Sequence, residues 1–176
     1  MQELLQEGLI HKAVNNLPPT YEALEKIVEP FFNDGAIVVV DDGLSQMQKY
    51  LPQVFEEFTS KRNTTIIFVS QSVFLDSSDF RRMSDNSHYI ICTLNKRNPG
   101  KIKTLALQAK PCNHKFVINA YLDATKKKTL STPHPNNYGY GYFILDFNLE
   151  SPGILEYRTN IFPNELEPVT VYVERM

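Results

Sequence analysis

Ile37-Val38-Val39-Val40-Asp41-Asp42 and Thr65-Ile66-Ile67-Phe68-Val69-Ser70-Gln71 decide the fold. Each is a continuous apolar run that ends in polar residues. A half-buried strand alternates in polarity, whereas an unbroken β-branched run is the pattern of a parallel strand covered on both faces. The segment between them, from about Gln46 to Thr59, reads as a helix, so the three together predict a βαβ unit. Asn33-Asp34-Gly35 is the turn that leads into the first strand.

Outward from this unit, the amino-terminal stretch Met1–Asn15 carries apolar residues at Leu4, Leu5, Leu9, Ile10 and Val14, a helical stripe with Gln and Glu opposite. Leu17-Pro18-Pro19 breaks it. Thr20 then opens a second helix with Glu22 and Glu25 at its positive end and Tyr21, Leu24, Ile27 and Val28 as its buried face. On the other side, a helical turn is expected around Asp79–Met83, a third strand over His88–Leu94, and helices over Gly100–Lys110 and His114–Ala124, parted by Pro111. Lys126–Asn137 has loop composition. Strands follow over Gly141–Phe147, Leu155–Ile161 and Val169–Val173.

The chain has 176 residues, 42% of them hydrophobic, enough for one real core, and the length favours a single domain. Its parts would be helices over 1–34, an α/β core over 35–125, a loop over 126–140 and strands over 141–176. A formal net charge of −2 gives no global basic field, so nucleic-acid contact would have to come from local patches or from assembly into a ring. Cys92 and Cys112 have neither Cys-x-x-Cys nor His spacing for zinc and read as reduced thiols of an intracellular protein. No apolar run approaches the ~20 residues of a membrane span, and no leader pattern opens the sequence, so a soluble, untargeted protein is expected.

Chemistry gathers at the ends of the two strands. Ligands of open α/β sheets collect at the carboxyl edge, and a strand ending in two acids with a polar residue on its neighbour is the second half of a P-loop nucleoside triphosphatase site. On that reading Asp41 holds a Mg²⁺-bound water, Asp42 accepts from the attacking water, and Gln71, after Ser70, is the polar sensor. The plain alternative is an Asp-Asp-Gly turn, because Asp is a good turn former. The first half of such a site is not encoded in these residues. None of the seven glycines opens a G-x-x-x-x-G-K-[ST] loop, and Gly100-Lys101 is followed by Ile102 and has Asn95 where the first glycine belongs.

Arg81 and Arg82 follow the sensor, where a guanidinium could act across a subunit boundary on spread phosphoryl charge. Lys96-Arg97, Lys101, Lys103 and Lys126-Lys127-Lys128 are candidate phosphate contacts. For all of these, a solvated surface is the competing reading. His88, His114 and His134 have no metal spacing.

In order along the chain, the following pieces resemble the carboxyl-terminal part of the FtsK/HerA-type DNA-packaging ATPases of Maverick/Polinton elements and related large DNA viruses: Pro19-Thr20-Tyr21-Glu22, Val39-Val40-Asp41-Asp42-Gly43-Leu44, Ser60-Lys61-Arg62-Asn63 and Ile67-Phe68-Val69-Ser70-Gln71-Ser72-Val73-Phe74. The resemblance continues through Arg82-Met83-Ser84-Asp85-Asn86-Ser87-His88-Tyr89, Leu105-Ala106-Leu107-Gln108, Asp123-Ala124-Thr125, Gly141-Tyr142-Phe143 and Arg158-Thr159-Asn160-Ile161-Phe162-Pro163. It implies a partial RecA-like core with a mostly parallel sheet that lacks its P-loop strand and carries extra carboxyl-terminal strands. It also implies Asp41-Asp42 as the acidic motif, Gln71 as sensor, and Arg82 with Asn86 as the segment after the sensor.

By the same resemblance, the intact motor would use ATP and Mg²⁺, form a hexameric ring, and pump double-stranded DNA with capsid or portal components. It would work in the host nucleus or cytoplasm or at a viral assembly site. The P-loop half would precede the helix near Met1, and its strand would lie between Thr65–Ser70 and the third strand. The segment Lys126–Tyr140 is longer than the family's link. Without the P-loop half no tight nucleotide binding is expected. The alternative function is a catalytically inactive DNA-binding or protein-interaction module derived from such a motor; a different α/β enzyme with paired carboxylates is a third, unsupported by any nucleophile or metal cluster.

Overall fold

The computed structural model describes residues 14, 16–42, 44–47, 49–61, 63–70, 85–96, 99–126, 141–162 and 168–174. The chain divides between Asn86 and Ser87 into two compact units. The expected helix over Met1–Asn15 and the turn over Asp79–Met83 lie outside the described residues, as does most of the Lys126–Tyr140 segment.

In the first unit Thr20 is extended, with φ −139°, and its hydroxyl accepts from the Ala23 N–H at 3.3 Å, which starts α1 over Tyr21–Val28. The acid Glu22 sits in the first turn, and hydrogen bonds from the backbone and from Thr20 hold its carboxyl below the usual range. Pro30 ends the helix in a short 3₁₀ turn over Glu29–Phe31. Gly35, at φ +84°, then swings the chain into β1, Ala36–Asp41, and the Ala36 N–H bonds the Asn63 carbonyl at 3.1 Å. β2, Thr64–Val69, runs parallel to β1, with Ala36 opposite Thr64 and Asp41 opposite Val69.

The connection is helical but not one helix. It divides into α2, Leu44–Met47, and α3, Leu51–Lys61, where a single helix was expected over 46–59. Pro52 is the reason, because its ring has no N–H to give and would clash with the preceding turn, so it is admitted in the first turn of a new helix. α3 presents Val54, Phe55 and Phe58 to the sheet, and these bury with Tyr21, Leu24, Val28, Val40, Met47 and Tyr50 as the core of this unit. Phe55 stacks on Phe68 at 5.1 Å between centroids and Tyr21 on Phe58 at 5.3 Å.

Both strands were expected to be covered on both faces. Among the described residues only one face is covered: Val38, Val40, Ile66 and Phe68 pack into the core, whereas Ile37 is 72% exposed and Val39 61%. Ile67 and Val69 share that open side.

The second unit holds β3, Tyr89–Thr93; α4, Pro99–Ala109; α5, His114–Ala124; β4, Tyr142–Asp146; β5, Tyr157–Thr159; and β6, Thr170–Val171. Pro111 parts the two helices, as read from sequence, and forms a 3₁₀ turn over Pro111–Asn113. The strands pair in the order β3-β4-β5-β6, and all three pairings are antiparallel. This corrects the expectation of one mostly parallel sheet. β3 pairs with β4 rather than extending the β1–β2 pair, and β2 pairs with β1 alone among the described strands.

α5 buries Val117, Ala120, Tyr121 and Ala124, a stripe at i, i+3, i+4 and i+7, over Phe143 and Tyr157. Gly141 is required where β4 begins, since a Cβ there would lie 2.2 Å from the Ala124 carbonyl oxygen. The described residues are therefore mixed α/β, with one parallel pair and one antiparallel sheet of four strands.

Candidate functional site

Asp41 closes β1, and Asp42 is the residue after it. Both are exposed. The Asp42 N–H bonds the Val69 carbonyl at 3.0 Å, which continues the parallel ladder one step past Asp41 before the chain turns away at φ +51°. Left-handed backbone disfavours most side chains; Asp and Asn enter it because their short polar groups bond locally. The conformation thus fits a turn residue, and it also presents two carboxylates at the carboxyl edge of a parallel pair. Ser70 leaves β2 at the same edge, one residue after the Val69 that pairs with Asp41.

Gln71 and Arg82 lie outside the described residues, as do Arg81 and Arg97. Lys96 is exposed and follows β3 in the second unit, and Lys103 is exposed on α4. Asn86 and His88 are exposed, and His114 begins α5. Among the described residues no group of three or more His, Cys, Asp or Glu side chains is arranged to hold a metal, and no helix is long and apolar enough to cross a membrane.

The donor set at the edge consequently fits only part of what the acidic motif implies. Two exposed carboxylates on adjacent residues suit an outer-shell role, accepting from metal-bound or attacking water. They do not make a cation cage by themselves, and the amide cradle for phosphates is not encoded in these residues.

Two polar arrangements went unread in the sequence, both in the second unit. Asp146 is buried, with its side chain fully covered, and its Oδ2 lies 2.8 Å from Nη2 of Arg158 on the adjacent strand. The N–H is not aligned on that oxygen, so the contact is ionic rather than a directed hydrogen bond. Oδ1 accepts from the Asn148 N–H at 3.0 Å, and Nη1 of Arg158 donates to the Leu155 carbonyl at 2.7 Å. The available signal was an acid ending the apolar run Phe143-Ile144-Leu145, the same pattern that singled out Asp41.

The other is Glu174, whose carboxylate meets Nζ of Lys110 at 2.8 Å and also accepts from Asn113; both partners hold its carboxyl below the usual range. Tyr172 donates to Asp123 at 3.1 Å, so the last strand is fastened to α5 and the turn before it. These contacts bind the chain to itself.

Comparison with family models, with curated proteins and with solved structures yields no match to this chain.

Proposed function

We propose that the chain is the carboxyl-terminal part of a genome-packaging, double-stranded-DNA-translocating ATPase of the FtsK/HerA type, with a partial RecA-like core that is completed by a P-loop half. The observation that carries the reading is the βαβ pair: it delivers Asp41 and Asp42 to the carboxyl edge of β1, with Ser70 directly after β2 at the same edge. The exposed Ile37, Val39, Ile67 and Val69 are in keeping with a parallel sheet that has more to bury.

ATP with Mg²⁺, when bound to the complete motor, supplies the phosphoryl group and neutralises its developing charge. Asp41 would hold the Mg²⁺ through its water shell, Asp42 would orient the attacking water and take its proton, and Gln71 would serve as the polar sensor. Arg82 acts on the neighbouring subunit of a hexameric ring. Lys96 and Arg97 are the proposed DNA contacts, and capsid or portal components the proposed protein partners. A second reading, a catalytically inactive DNA-binding or interaction module of the same descent, is favoured by the left-handed Asp42, which suits a simple turn.

The deciding experiment joins this chain to a P-loop half, fused or in trans, and measures Mg²⁺-dependent ATP hydrolysis. Asp42→Asn keeps a residue that tolerates φ +51° but removes the proton acceptor. Turnover is expected to fall at least ~100-fold with nucleotide binding retained. Turnover at the wild-type rate would make Asp42 a turn residue and favour the inactive module.

A further inference from the structure

We draw no further inference here: the strongest candidate, the apolar outer face that Ile37, Val39, Ile67 and Val69 give the β1–β2 pair, is an unpartnered sheet face and nothing in the structure shows what covers it.

Discussion

At the scale of single residues, one buried charge pair is held across two strands. Asp146 and Arg158 compensate each other on adjacent strands, so removing one partner leaves the other as an unpaired ion in a covered site. Arg158→Met is expected to destabilise the protein by about 3 kcal/mol, and the double change Asp146→Leu with Arg158→Met to recover most of that loss. Urea unfolding of the single and double variants measures both; a single variant as stable as the parent would mean that the pair contributes nothing.

Cys92 and Tyr157 act through protonation instead. Burial pushes the Cys92 thiol from its ordinary 9.0 up to about 12. Burial, with a further contribution from Glu156, pushes the Tyr157 phenol up as well. In both, the folded state holds its proton at a pH where the unfolded state has released it. Stability that is fully present below pH ~9 should therefore fall as pH rises toward 11. The urea midpoint is expected to drop between pH 8 and 10.5, and to drop less in Cys92→Ala. A midpoint independent of alkaline pH would contradict the burial of both groups.

At the scale of elements, the β1–β2 pair has two unlike faces. One packs on α3 and the other is open, although every outer position except Thr65 and the terminal Asp41 is apolar. Truncating the packed side removes contacts and leaves a cavity. Phe58→Ala, at a fully buried position, should cost about 4 kcal/mol. Val39→Thr, on the open side, should change stability by less than about 0.5 kcal/mol, because its side chain loses little contact in the chain alone. Chemical denaturation of the two variants distinguishes the faces. A loss above 2 kcal/mol for Val39→Thr at concentrations where the chain is monomeric would mean that this face is covered within the chain.

At the scale of the molecule, β2 pairs only with β1 among the described strands, and its six residues contain no charge or proline to discourage a further pairing. Together with the open apolar face, this predicts self-association of the purified chain. Light scattering after size-exclusion chromatography should show species larger than the 20.2 kDa monomer, converted to a defined complex when a P-loop half is added. A clean monomer that unfolds cooperatively would favour the independent module over the incomplete motor.

Local patterns were legible from residues alone. Thr20 as helix cap, Pro111 as the break between α4 and α5, and the strands at Ile37–Val40, Tyr89–Thr93 and Phe143–Leu145 all follow from groups that act within a few residues of themselves: a hydroxyl that caps, a ring without an N–H, β-branched side chains that favour extended backbone. Those same residues also fixed the juxtaposition of Asp41 and Asp42, which are covalent neighbours. The parallel pairing of β1 with β2 was legible too, from the helical segment between them, but the partner of the third strand was not. An apolar run such as Tyr89–Thr93 reads alike whether it joins a parallel or an antiparallel sheet, and only tertiary structure decided that β4 takes it. The same holds for Asp146 and Arg158, because a buried ion pair between strands depends on register, and register is set by the packing of whole elements rather than by any local residue choice.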